Sequence, residues 1–354
     1  MDSVIVSAPL HIWVSQLTRM RGTWNGIGLD VSVDKLVTAL QRLEEDDIGI
    51  SSLIIDDGWQ SVDHKTDQNG RRWKSFEADK VTFPEGLKGA VSHLRNRFPG
   101  LRHVAVWHSL IGYWRGVSPD GEIAKRYKTV EVGCEPREDG KLLVVDKQDV
   151  PQLYEDFYKF LSLAGIDAVK ADSQNVIDNF VEASARRDLI TTYLDAWKLS
   201  SLRHFSFRTI SCMSQFPQAL FYSQMATNRP TMVVRNSDDF FPNEPTSHTW
   251  HLWANAHNAL FMRYLNVLPD WDMFQTSHEY GGLHAAARCV SGGPIYITDA
   301  PGEHDVKLLR QMTGKTPRGK TTVLRPSVVG RSVTHYVGFD EAQLLKVGSY
   351  HGEL

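Results

Sequence analysis

The run Val169-Lys170-Ala171-Asp172 places a lysine and an aspartate two residues apart at the close of an apolar stretch that begins at Ala164. Side chains alternate along a strand, so Lys170 and Asp172 share one side. A carboxylate held at a strand end beside a fixed positive charge is equipped to act as a nucleophile. The ending recurs along the chain. Apolar runs close on Asp56-Asp57-Gly58-Trp59, on Trp107-His108, on Arg235 with Asp238 and Asp239 just beyond, on Asp270-Trp271-Asp272 and on Asp299, and Trp24 follows the first run. Paired carboxylates among aromatic rings suit glycoside chemistry: one attacks the anomeric carbon or activates water, and the other protonates the leaving oxygen. Asp56, Asp57 and Lys170 can bind sugar hydroxyls, and Trp24, Trp59 or Trp107 can offer a flat face to a sugar ring.

Each residue also has a plain structural role open to it. An aspartate after a strand caps a helix or forms a turn. Lys170 can neutralise any nearby carboxylate, Arg235 can neutralise Asp239, His108 can be a hydrogen-bonded core residue, and Trp271, Met213 and Met232 can simply pack. The functional reading is joint, because such roles would have to hold at seven strand ends at once.

The elements that would position these residues alternate. A strand ending near Arg21-Gly22-Thr23-Trp24 precedes a helix with Val33, Leu36, Val37, Leu40 and Leu43 on one face. Ser52 to Ile55 is the next strand, then a helix from Leu87 to Phe98 and a strand from His103 to His108. Residues 115–148 read as an inserted loop or hairpin. A helix from Pro151 to Leu163 leads to the strand ending at Asp172. Helices near 184–203, 247–263 and 279–290, with a short one before Thr231, separate strands at 207–213, 231–235, 267–272 and 294–299. Eight strand-then-helix units predict a closed (β/α)8 TIM barrel over residues 1–314, with its site at the C-terminal strand ends. Residues 315–320 read as a basic linker, and 331–338 and 343–350 as two strands. Residues 315–354 are thus expected to begin a C-terminal β-sandwich domain that is cut short.

Composition narrows the function. The chain has 354 residues, 42% of them hydrophobic, and a formal net charge of -3, which gives no case for nucleic acid or an anionic membrane as partner. Cys134, Cys212 and Cys289 form no CxxC or Cys/His cluster, so neither a metal nor a disulfide framework is expected. The opening MDSVIVSAPL lacks the charged and apolar regions of a signal peptide. No apolar run nears the roughly 20 residues of a membrane span. A cytoplasmic location is therefore the expectation. The ten tryptophans are mostly core, with a subset free to act as sugar platforms.

Taken together, Thr23-Trp24-Asn25, LIIDDGWQ (53–60), Val106-Trp107-His108 with Gly112-Tyr113-Trp114, VKADSQ (169–174), Cys212-Met213-Ser214, RNSDDF (235–240), PDWDMFQ (269–275), His284-Ala285-Ala286 and SGGPIYITD (291–299) resemble the raffinose synthase and alkaline α-galactosidase family of glycoside hydrolases. The resemblance runs through most of residues 20–313. It implies a retaining reaction on α-galactosides with no cofactor and no metal. Asp172 then corresponds to the nucleophile and Asp56 and Asp57 to the clamp on the galactose hydroxyls, with Trp59 beside them. Lys170 is a second sugar contact that helps keep Asp172 ionised. An Arg-x-x-x-Asp pattern selects Asp239 as acid/base, and strand parity from Arg235 agrees; a bulge would select Asp238. Phe241 stands where the family usually has tryptophan, which bears on the leaving-group subsite, and Ala171 replaces a usual valine. The family also carries large β domains on both sides of the barrel, so this chain reads as lacking the first and most of the second.

An α-galactoside oligosaccharide is therefore the expected substrate. Water as acceptor gives an α-galactosidase, which the compact barrel favours; sucrose as acceptor, with galactinol as donor, gives raffinose synthase. A truncated, inactive sugar-binding barrel and an unrelated metal-dependent barrel enzyme are the other readings.

Overall fold

The computed structural model describes residues 20–63, 70–135, 140–225, 227–317, 319, 321–335 and 337–351. The opening segment MDSVIVSAPL lies outside them. Eight parallel strands form one sheet: β1 (Met20–Gly22), β2 (Ser52–Ile55), β3 (His103–Ser109), β4 (Ala168–Asp172), β5 (Thr209–Ser211), β6 (Met232–Arg235), β7 (Val267–Asp270) and β8 (Tyr296–Ile297). Each neighbours the next in chain order, and β8 returns to lie beside β1. The ring closes through a parallel bridge between Phe274, just past β7, and Ile297, with the Thr298 N–H donating to the Phe274 carbonyl at 2.9 Å. This is the expected TIM barrel.

Main helices cover it: α1 (Val33–Glu45), α2 (Gly86–Arg97), α3 (Val150–Leu163), α4 (Ala183–Phe205), α5 (Ser247–Met262), α6 (Gly281–Ser291) and α7 (Val306–Gln311). Ser32 caps α1, accepting from the Lys35 N–H at 3.4 Å, and α1 buries Leu36, Ala39, Leu40 and Leu43. After β5 there is only a π-turn, Ala219–Gln224. The excursion read at 115–148 contains an antiparallel hairpin, Thr129–Gly133 with Lys141–Val145. A second hairpin, Gln60–Val62 with Trp73–Ala78, follows β2 and was not expected.

The barrel's interior follows from strand alternation. Met20, Ile54, Ala105, Ala168, Ile210 and Val233 point inward and join Met273 and Tyr296 in one apolar plug. Their strand neighbours Leu53, Ile55, Val104, Val106, Val169, Ala171, Met232 and Val234 belong to the larger core under the helices. Two residues beyond each plug residue, the same parity reaches Asp56, Trp107, Lys170, Cys212 and Arg235. The apolar plug thus forms the floor on which the polar strand ends stand.

Past the barrel, Thr313–Lys315 pairs antiparallel with Thr321–Val323, on either side of the segment read as a linker. A separate pair, Arg331–Ser332 with Val347–Gly348, is shorter than the two strands expected there. Its connecting segment packs on α5, where the Trp253 indole donates to the Val337 carbonyl at 2.7 Å.

Candidate active site

Asp172 closes β4 and is only 7% exposed. The backbone N–H of Ser173 donates to its Oδ1 at 2.6 Å and the Trp107 indole N–H to its Oδ2 at 2.8 Å. One oxygen is thus fixed by its own chain and the other by the adjacent strand, in the register that pairs Trp107 with Lys170 and Ser109 with Asp172. Charged acceptors make hydrogen bonds roughly twice as strong as neutral ones. Ser173 sits in the left-handed region at φ 54, as do Met213 and Asp272 just past β5 and β7. Such backbone conformations cost about 1–3 kcal/mol each and persist where surrounding structure holds them.

Beside it, Lys170 Nζ lies 2.9 Å from Asp56 Oδ2, both buried. Burial disfavours charge on either partner, yet Asp56 and the other carboxylates raise the lysine well above its ordinary value, so the ammonium is retained. Burial lifts the Asp56 carboxyl, and the Lys170 ammonium and the Asp57 N–H work against that lift. Held at 2.9 Å from a retained ammonium, the pair is ionic. The Asp56 N–H in turn donates to Thr23 Oγ1 at 2.9 Å. Asp57 accepts from the Tyr113 hydroxyl and, at 2.7 Å, from the Trp114 indole N–H. Gly58 follows at φ 112, where an added Cβ would lie 2.4 Å from the Leu29 carbonyl oxygen. Only glycine turns the chain there.

Across the ring, Arg235 at the end of β6 organises the second acidic group. Its Nη1 lies 3.0 Å from Asp272 Oδ1, and its Nη2 donates to Asp239 Oδ1 at 2.9 Å and to the Asp238 carbonyl at 3.0 Å. Burial opposes the guanidinium's charge, but Asp272, Cys212 and Asp239 outweigh it and hold Arg235 above its usual value. The strand ends at Arg235, so parity does not carry on to Asp239; the following loop curls back and delivers it. The Asp239 side chain is 44% exposed, and Asp238 is exposed. Cys212 ties the two groups together. Its thiol lies 3.4 Å from Arg235 Nη1 and is within electrostatic reach of Asp172, Lys170 and Asp239. Burial pushes that thiol well up, so it stays protonated.

Other strand-end carboxylates are structural. Asp272 Oδ2 accepts from the Phe240 N–H at 2.8 Å, and Tyr296 donates to Asp270 Oδ2 at 2.8 Å. Burial raises Asp270 to about 6, against the pull of Arg235. Asp299 accepts from Thr276 Oγ1 and the Ser277 N–H. His108 is a core residue: its Nδ1 lies 2.9 Å from the Ser109 carbonyl and its Nε2 2.8 Å from the Tyr158 hydroxyl.

The platform reading needs correction at two tryptophans. Trp59 is 0% exposed, and its indole donates to the Trp107 carbonyl at 2.7 Å. Trp107 is 1% exposed, with Trp114 stacked 6.0 Å away, and serves Asp172 through its N–H rather than offering a ring face. Trp24 remains partly exposed on top of the interior plug. Thr23, Tyr113, Trp114, Cys212 and Asp272 stand in the sequence motifs but had been assigned no role at the site. Behind the Asp239 loop stands a further network. His248 Nδ1 lies 2.8 Å from His284 Nε2, and Arg288 binds His284 Nδ1 at 2.7 Å and His251 Nε2 at 3.0 Å. Phe240 packs against His248, His278 and His284. Among the described residues no group of three or more His, Cys, Asp or Glu side chains is arranged to hold a metal, and no helix is long and apolar enough to cross a membrane.

The strands and helices define a (β/α)8 barrel. The barrel superposes on the α-galactosidase TtGalA from Thermus thermophilus, solved with stachyose, at a TM-score of 0.56 with 17% identity, covering 83% of this chain and 63% of that one. The family model described as raffinose synthase or seed imbibition protein Sip1 matches residues 71–340, and the chain belongs to that family. It is 32% identical over 356 residues to the probable galactinol–sucrose galactosyltransferase 6 of Arabidopsis thaliana, covering 92% of this chain and 46% of the relative. It is 30% identical over 344 residues to the galactinol–sucrose galactosyltransferase of Oryza sativa subsp. japonica, covering 86% and 43%. The chain thus spans less than half the length of these relatives.

Proposed function

We propose that this chain carries the catalytic barrel of an enzyme that cleaves α-galactosides with retention and passes the galactosyl group to a carbohydrate hydroxyl. The observation that carries the reading is Asp172, buried at a strand end and aimed by two donors. An Asp172 oxygen attacks the anomeric carbon while Asp239 protonates the departing oxygen. Asp239 then takes the proton of the acceptor hydroxyl, which attacks the same carbon from the opposite side and frees Asp172. Two inversions give net retention. Asp56, Asp57 and Lys170 bind the galactose hydroxyls, and Trp24 supplies the exposed ring face. Arg235 holds the Asp239 loop, while Trp59 and Trp107 support from beneath. Asp239 is preferred to Asp238 because its carboxylate, not its carbonyl, is the group that Arg235 orients.

The relatives' names favour transfer over the hydrolysis that the compact barrel suggested. Galactinol as donor and sucrose as acceptor are the pair those names supply. The test is product analysis with a nitrophenyl α-galactoside, with and without sucrose. Transfer product exceeding free galactose is expected. Free galactose alone, at all sucrose concentrations, assigns the barrel to hydrolysis, and galactose binding without turnover assigns it to the inactive class.

A further inference from the structure

The general acid must touch the oxygen that leaves and, in reverse, the hydroxyl that attacks. The acceptor therefore lies against the Asp238–Asp239 loop. A cavity of about 310 Å³ opens there, between that loop and the first two turns of α5, lined among others by Asp238, Asp239, Phe241, Glu244, Trp250 and His251. That volume lies at the lower end of the roughly 300–1,000 Å³ of small-molecule sites. Ser247, Trp250, His251 and Ala254, spaced three and four apart along α5, give it the helix face that lines the cavity.

The walls are built rather than incidental. Phe240 anchors the loop through its N–H on Asp272 and its buried ring, and the Pro242 carbonyl lies 2.9 Å from His278 Nε2. Between these anchors, Phe241 is 46% exposed and Trp250 is 42% exposed. Trp253 stacks on the Trp250 ring at 4.9 Å and 21°, and Phe339 meets its edge at 5.1 Å. The aromatic wall is thereby fixed from behind. Among the described residues no hydrogen bond or ion pair engages the carboxylate of Glu244. Asp238, Asp239 and Glu244 make the lining acidic, and no lysine or arginine is among its residues. Arg235 behind it is committed to Asp239 and Asp272.

We propose that this cavity is the acceptor subsite, that it takes a neutral, hydroxyl-rich ring, and that Glu244 and Trp250 determine which acceptors are used. The proposal rests on the galactosyl-transfer reading above. The indole face covers the apolar side of the ring, and Glu244 accepts from its hydroxyls. An anionic acceptor such as a sugar phosphate is repelled by three carboxylates. In the transfer step the Asp172–galactosyl bond breaks, the acceptor oxygen–anomeric carbon bond forms, and the acceptor's proton moves to Asp239.

The experiment uses the full chain with α-galactosyl fluoride, whose leaving group needs neither the acid nor the cavity. Each protein is titrated by its fluoride burst, so that acceptor constants are per competent site. Sucrose dependence of transfer is then compared for the unaltered chain, Glu244→Gln and Trp250→Ala. A hydrogen bond to a charged group is worth about 1.5–3 kcal/mol, so the acceptor KM is expected to rise roughly tenfold or more in Glu244→Gln. A similar rise is expected in Trp250→Ala. Glucose is expected to outperform glucose 6-phosphate, with the gap narrowed in Glu244→Gln. A normal burst with unchanged acceptor KM in both variants overturns the subsite. No fluoride release by the unaltered chain overturns the galactosyl-transfer reading, and the subsite with it.

Discussion

The indole N–H of Trp107 lies 2.8 Å from Oδ2 of Asp172, and the two residues stand on adjacent strands whose register pairs Trp107 with Lys170. The reach of the proposed nucleophile is thus set by a ring that is itself immobilised in the core. Trp107→Phe keeps an aromatic ring at the site, removes the donor and leaves a small cavity in the core. A hydrogen bond to a charged acceptor is worth about 1.5–3 kcal/mol, so galactosylation of Asp172 is expected to slow roughly ten- to a hundredfold in protein shown to be folded by its melting transition. Rapid-quench measurement of the first step checks this. An unaltered rate would show that the contact does not position the attack.

Lys170 and Asp56 form a buried ion pair. Removing one partner of such a pair leaves an uncompensated charge and costs about 3–5 kcal/mol. Lys170→Met is expected to show that loss in denaturant titration. Lys170→Met with Asp56→Asn is expected to lose less than the sum of the single changes. Additive losses would mean that the two side chains do not interact in solution.

The acid/base assignment separates by leaving group. Loss of a general acid lowers rates by about 10²–10⁴-fold when the leaving group needs a proton. Asp239→Gly is expected to lose that much on an unactivated α-galactoside and far less on nitrophenyl α-galactoside, with azide restoring turnover. Asp238→Gly is expected to change chiefly the acceptor KM. The reverse pattern would give the role to Asp238.

Strand alternation made much of this legible. Lys170, Asp172 and Arg235 could be placed because a period of two, started from the apolar plug, points their side chains into the ring. Contacts made by loops were not legible in that way. Tyr113 and Trp114 reach Asp57 from the turn after β3, and Asp239 meets Arg235 through a curled loop rather than a continuing strand. The His248–His284–Arg288–His251 network comes from α5 and α6, where helical positions carry no strand-end signal. Nor does sequence distinguish a tryptophan under the floor from one upon it, as Trp59 shows. The hairpin after β2 was missed because its first strand, Gln60–Val62, is only 3 residues long and the sequence between its strands is polar.

His108 makes its own contribution to the pH dependence of stability. Burial holds His108 at about 4, against the opposing pull of the Ser109 carbonyl and Asp172. In the unfolded chain its pKa is near 6.5, so the unfolded state binds more protons as pH falls from 6.5 towards 4, and stability is lost across that window. The difference corresponds to about 3 kcal/mol. Burial and Arg288 lower His251 and His284 as well, which acts in the same direction. Burial raises Asp270 to about 6, which acts in the opposite direction, so the prediction is a difference: from pH 7 to pH 4, His108→Gln is expected to keep more of its denaturant stability than the unaltered chain. An equal slope in the variant would remove His108 from the account.

The central claim is that Asp172 becomes covalently galactosylated. A fluorinated galactosyl donor whose intermediate turns over slowly tests it by intact mass followed by peptide mapping. The predicted result is one added fluorogalactosyl mass, located on the peptide that contains Asp172. An active chain that acquires no label, or acquires it on a peptide without Asp172, would contradict the account.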